Sequence, residues 1–245
     1  MEMTLPHFRP HGVSDRGDPA SMPSDHAESL TIDLEDGRTV SGLLLMPRQP
    51  LACLALAHGA GAGMTHPFLS TVAAGLAERR IATLRYQFPY MERGSRRPDP
   101  PKLAQATVRS ALDLARRLVP PIPLFAGGKS FGGRMTSQAQ AESPLPGVRG
   151  LVFLGFPLHP PGRPSDERGQ HLFDVQVPML FLQGTRDDLA SLLLLRPLIE
   201  RLGARATLEL IDDADHSFRV PARAGRSNEE VLAGALERLA AWMLR

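Results

Sequence analysis

Cysteine is all but missing from this chain. Cys53 stands alone among 245 residues, so no internal disulfide can form and Cys-rich zinc sites are excluded. Its place in the apolar run 51–57 marks it as a small buried hydrophobe. An excess of one charge is missing as well, since 28 Lys+Arg face 26 Asp+Glu. A net charge of +2 with scattered cations is not the concentrated basic footprint that grips phosphate backbones, so nucleic acid is not an expected partner. No stretch approaches the roughly 18 apolar residues of a membrane span. Met1-Glu2-Met3-Thr4-Leu5-Pro6 carries no apolar core of a secretory leader. The expectation is a cytoplasmic protein with no membrane partner.

What is present suits one large α/β domain: 42% of the residues are hydrophobic and 22% charged. Residues 1–28 are rich in Pro, Asp, Ser, His and Gly without an apolar period. They read as a disordered tail, and 29–245 as the folded domain. Two short apolar segments, 30–34 and 40–46, flank Glu35-Asp36-Gly37-Arg38, and an Asp-Gly turn there predicts an antiparallel hairpin. From residue 51 onward continuous apolar runs alternate with amphipathic stretches, the pattern of strands covered on both faces by helices. Strands are expected at 51–57, 81–86, 122–126, 151–156, 179–183 and 206–211. Helices are expected at 67–80, 102–118, 133–142, 189–202 and 228–244. Right-handed crossovers then give a mostly parallel, doubly wound α/β sheet with helices on both faces.

Such sheets hold ligands beyond the C-terminal ends of their strands. Gly128-Lys129-Ser130-Phe131-Gly132, between a strand and a helix, is a G-x-S-x-G nucleophile elbow. Its glycines make room for a sharp turn, and the N–H of Phe131 faces a developing oxyanion at the helix N-terminus. A serine hydroxyl needs a base, and His216 stands in the turn after the last strand. Asp187, in Gly184-Thr185-Arg186-Asp187, would orient the imidazole; its neighbour Asp188 competes but suits the cap of a helix starting near 189. The order Ser130, Asp187, His216 is that of α/β hydrolases. His58-Gly59-Ala60 after the first parallel strand offers Ala60 N–H as second oxyanion donor, with His58 itself a loop-bonding side chain. A phosphate-binding loop ending in Gly128-Lys129-Ser130 is refuted by register, because its first glycine falls on Pro123.

Taken together, His58-Gly59-Ala60-Gly61, Phe88-Pro89-Tyr90, Gly127-Gly128-Lys129-Ser130-Phe131-Gly132-Gly133-Arg134, Leu154-Gly155-Phe156-Pro157, Gln183-Gly184-Thr185-Arg186-Asp187 and Asp215-His216-Ser217-Phe218 resemble the α/β-hydrolase superfamily, in its small, lidless, dienelactone-hydrolase-like branch. The resemblance covers about residues 30–245. It implies an eight-stranded sheet without a cap domain and a Ser130–Asp187–His216 triad that needs no metal or organic cofactor. Dienelactone hydrolases proper carry cysteine where Ser130 stands, so their substrate is not transferred. Only about twenty residues separate Phe156 from Val177, which predicts an open cleft; His159 and His171 there read as loop residues. Lys129, Arg134, Arg85 and Arg186 suggest a positively charged mouth, with Arg134 and Lys129 as candidate substrate-binding residues. Arg134 opposes the dipole of its helix, so it has either a role toward an anionic acyl substrate or a local tie to an acid or to loop carbonyls. The expected activity is hydrolysis of a carboxylic ester, thioester or similar activated acyl bond. A small-molecule acyl substrate is the expected partner. A non-catalytic module on the same scaffold and an acyltransferase are the alternatives.

Overall fold

The computed structural model describes residues 27–245; the expected disordered tail lies, but for its last two residues, outside the described residues. β1 (Glu28–Asp33) and β2 (Thr39–Leu45) form the expected hairpin, with Gly37 at φ +82° in the turn. Glycine is needed there because a Cβ disfavours that conformation. Then follow β3 (Ala52–Ala57), α1 (Pro67–Glu78), β4 (Ile81–Tyr86), the short α2 (Pro89–Glu92), α3 (Pro101–Leu118), β5 (Leu124–Lys129) and α4 (Phe131–Glu142). The chain continues through β6 (Val148–Leu154), a 3₁₀ helix (Glu167–Asp174), β7 (Met179–Gly184), α5 (Leu192–Leu202), β8 (Ala206–Ile211) and α6 (Asn228–Met243).

The eight strands make one sheet in the order β1-β2-β4-β3-β5-β6-β7-β8, with β2 alone running against the direction of the others. Every residue of β3, β4 and β7 is buried, because helices cover both sheet faces. One core gathers side chains of α3, α4 and α5, and a second core on the other face gathers those of α1 and α6. In α3 the buried set Ala104, Thr107, Val108, Ala111, Leu112 and Ala115 keeps the spacing of a single helical face. No cap domain interrupts the chain between β6 and β7, where the 3₁₀ helix is the only regular element among the described residues.

Strand order positions the site. β3 lies between β4 and β5, so the chain leaves it toward α1 on one face and leaves the neighbouring strands toward α3 and α4 on the other. Loops after β3 and β5 therefore part above the sheet, and a crevice opens at this reversal.

Candidate active site

Ser130 sits at the tip of the turn from β5 into α4, with φ +50° and ψ −115°. A non-glycine residue held there stores about 1–3 kcal/mol of strain, which the packing on either side fixes. A Cβ on Gly128 would lie 2.4 Å from the carbonyl oxygen of Ala57, and one on Gly132 would lie 2.5 Å from that of His58. The two glycines of the elbow are thus required by the close passage of the end of β3.

His216 lies in the turn after β8. Its Nδ1–H donates to Asp187 Oδ2 at 2.7 Å, and the Asp187 side chain is wholly enclosed whereas that of His216 is 23% exposed. The second carboxylate oxygen, Oδ1, accepts the backbone N–H of Leu189 at 2.8 Å. Gln183 Nε2 donates to Oδ2 at 2.5 Å, and Gln183 Oε1 accepts Phe156 N–H at 2.9 Å. These bonds satisfy the buried carboxylate and hold it toward the ring. Asp188 is exposed and caps no helix; α5 starts at Leu192 with Ser191 as its N-cap, because the turn from Asp187 to Ala190 closes first.

With Nδ1 taken by Asp187, the Nε2 edge of His216 is left for the cleft. Ser130 and His216 both line that cleft, a space of about 670 Å³ that Ala60, Phe68 of α1, Leu189, Phe218 and Leu232 of α6 also border. Within 3.5 Å no hydrogen bond joins Ser130 Oγ to His216 among the described residues. Such bonds in ligand-free hydrolytic sites are commonly long and tighten with substrate. The backbone N–H groups of Phe131 and Ala60 have no acceptor among the described residues.

Two residues that the sequence offers only within the family motifs, with no role assigned to them, complete the support. Gly155, at φ +71°, lies under the imidazole: a Cβ there would stand 3.0 Å from Lys129 Nζ and 3.3 Å from His216 Nδ1. Gln183 is legible as the first residue of the motif that ends in Asp187, a signal that says nothing of its bond to that carboxylate.

His58 is buried, as its loop-bonding role requires: Nδ1–H donates to Gly59 O at 2.8 Å and Nε2 accepts Phe88 N–H at 3.0 Å. Burial pushes its pKa down to about 4, so the ring is neutral and clamps the Ala60 loop to the Phe88-Pro89-Tyr90 segment.

The expected cationic mouth needs correction. Arg85 belongs to β4 and is buried, donating to Met64 O at 3.2 Å and Ser70 Oγ at 2.8 Å. Lys129 borders the cleft, but its ammonium donates to the backbone oxygen of His216 at 2.6 Å and lies 5.7 Å over the Phe218 ring. Burial lowers its pKa to about 8, against the opposing pull of Asp187 and Asp215. Lys129 therefore anchors the histidine turn. Arg134 does not border the cleft; it faces the opposite flank, toward the 3₁₀ helix.

On that flank His171 Nε2 and Ser137 Oγ are 2.8 Å apart. Ser137 Oγ donates its one proton to Arg134 O at 3.0 Å, so it accepts from His171 Nε2–H. A histidine that donates to a serine cannot also take its proton. Burial, then Arg134, lowers the His171 pKa to about 4, and no carboxylate orients its ring among the described residues. This pair is packing.

A model of the family described as Alpha/beta hydrolase domain matches residues 50–244. Among solved structures, a serine hydrolase without a lid from Xanthomonas campestris is 22% identical with TM-score 0.69, covering 91% of this chain and 98% of that one. Dienelactone hydrolase from Anabaena variabilis is also 22% identical, with TM-score 0.70 and coverage of 88% and 95%. A cold-adapted esterase from an Arctic intertidal metagenomic library, 22% identical, matches with TM-score 0.64 over 89% of this chain and 94% of that one. At these identities the likeness is one of fold.

Proposed function

From the premise that the chain belongs to the alpha/beta hydrolase domain family, we propose that it is an esterase-like serine hydrolase that cleaves a carboxylic ester, thioester or similar activated acyl bond with Ser130, His216 and Asp187. The observation that carries this reading is the 2.7 Å bond from His216 Nδ1 to the enclosed Asp187 carboxylate, made at the rim of the cleft that Ser130 also borders.

Ser130 Oγ attacks the acyl carbonyl while His216 Nε2 takes its proton. Asp187 keeps Nδ1 protonated and stabilises the imidazolium that forms. The oxyanion is received by the N–H groups of Phe131 and Ala60, each worth roughly 3 kcal/mol of transition-state stabilisation. His216 returns the proton to the departing alcohol or thiol. Water, deprotonated by the same ring, then splits the acyl-serine. Strain at Ser130 keeps the hydroxyl at the tip of the turn, where the helix N-terminus favours the negative charge.

Hydrolysis of short p-nitrophenyl esters by the wild type and by Ser130→Ala tests the proposal. A loss of about 10³-fold or more in kcat for the variant is expected. Equal turnover by a folded Ser130→Ala protein would overturn it.

A further inference from the structure

The loop that carries Ala60 has little in its own sequence to hold it. Gly59, Gly61 and Gly63 interleave its residues, with Gly61 at φ +72° and Gly63 at φ +69°, and both Ala60 and Gly61 are exposed. Glycine-rich backbone has the most conformational freedom to lose, so Ala60 keeps one conformation only where the two peptide planes that meet at its Cα are both held. The first plane is held by His58, whose Nδ1–H donates to Gly59 O at 2.8 Å. Because a peptide is planar and trans, gripping that oxygen sets the direction of the Ala60 N–H on its other side. The second plane ends in the Gly61 N–H, which donates to Tyr90 Oη at 3.2 Å. The Ala62 N–H, bonded to Gly59 O at 3.3 Å, closes the turn around both planes.

Tyr90 is itself anchored. It is buried in α2 and does not border the cleft. Its N–H donates to Asp99 Oδ2 at 2.7 Å, Asp99 Oδ1 accepts Arg93 Nη2 at 2.6 Å, and Tyr90 O accepts the Ser95 N–H at 2.9 Å. Gln87 Oε1, three residues earlier, accepts the Met64 N–H at 2.8 Å, so the segment after β4 grips the loop after β3 at more than one point. A buried phenol needs a partner for its oxygen, and among the described residues that partner is Gly61 alone. The Tyr90 ring also lies 5.9 Å from the His58 ring and 6.4 Å from that of Phe131, edge to face in both cases. One side chain therefore touches both segments that aim an N–H at the oxyanion, Ala60's through its oxygen and Phe131's through its ring.

We propose that Tyr90 is a positioning residue for the reaction: its phenol oxygen, holding the Gly61 N–H, and its ring, seated on Phe131, fix the gap between the two N–H groups that receive the oxyanion. This rests on the esterase reading above, in which Ala60 N–H is one of those donors. As the ester carbonyl becomes tetrahedral its oxygen gains charge, and a donor displaced by about 1 Å forfeits much of its contribution. Tyr90 makes no contact with the cleft, so its hydroxyl acts on the transition state and leaves ground-state binding alone. Phenylalanine in its place would keep the packing and release the loop.

The test sets Tyr90→Phe against Tyr86→Phe, which removes the chain's only other tyrosine hydroxyl, also buried, from β4. On short p-nitrophenyl esters, Tyr90→Phe is expected to lower kcat and kcat/KM together by about 10-fold or more, with KM within about 2-fold of wild type. Tyr86→Phe is expected to keep kcat within about 2-fold, while each variant lowers the melting temperature by about 2–4 °C. An unchanged kcat in Tyr90→Phe, a loss confined to KM, or an equal loss of kcat in Tyr86→Phe overturns the inference and leaves the esterase reading intact. A second arm needs no turnover: hydrogen exchange at the amides of residues 59–62 should quicken by about 3- to 10-fold in Tyr90→Phe and not in Tyr86→Phe. Unchanged exchange also overturns it. Wild type that turns over no ester, while exchange quickens in Tyr90→Phe alone, would sink the esterase reading and leave the hold of Tyr90 on the loop standing.

Discussion

Lys129 precedes Ser130 in the chain, yet its ammonium reaches the backbone oxygen of His216 at 2.6 Å, so one residue ties the turn of Ser130 to the turn of His216. Holding a buried ammonium has a thermodynamic consequence. Its pKa in the fold is about 8, below the ordinary 10.5 that the unfolded chain retains. Between those values the unfolded chain binds a proton that the folded one lacks, so this group makes stability rise with pH across that window. Below about pH 8 the folded protein bears the full desolvation cost. Replacing Lys129 by Met should therefore leave the melting temperature at pH 7 equal or higher while lowering kcat about 10-fold or more, because His216 loses its anchor. The rise in stability from pH 8 to pH 10, followed by urea unfolding, should flatten in the variant. A variant that keeps full kcat would show that the bond does not position His216.

Elements matter here through how closely they approach. α4 rests on the end of β3 at Gly132, where an added methyl would meet His58 O at 2.5 Å and Ala57 Cβ at 2.7 Å. Gly132→Ala should cost roughly 1–3 kcal/mol, read as a lower urea midpoint. Gly234, inside α6 with nothing within 4 Å of its would-be Cβ, should instead gain up to about 1 kcal/mol on replacement by Ala. The paths of β3, β4 and β7 were legible because two-sided burial writes largely apolar runs. β5 was not placed correctly: it begins at Leu124, two residues later than its apolar run suggests, and continues through Gly127 and Gly128 to Lys129. Those glycines are strand residues because β6 crosses so close that a Cβ on Gly127 would lie 1.9 Å from Val152 O. α5 begins at Leu192, three residues late, since the Asp187 carboxylate takes the Leu189 N–H and closes a turn. The short α2 and the 3₁₀ helix carry too few residues to show a period.

At the scale of the molecule, the reversal of strand order around β3 brings together side chains far apart in the polymer. Ser130, Asp187 and His216 could be nominated from their order along the chain and their places just beyond strand ends. Gln183 and Gly155 could not, because their roles are contacts between neighbouring strand ends that no single segment records. The central claim is that this convergence makes the Ser130 hydroxyl a nucleophile through His216. Treatment with a fluorophosphonate followed by mass spectrometric mapping tests it most directly: the account predicts a single phosphonyl adduct on Ser130 in wild type, slowed about 10³-fold or more in His216→Ala. Folded wild-type protein that stays unmodified at Ser130, or reacts at the same rate without His216, would contradict it.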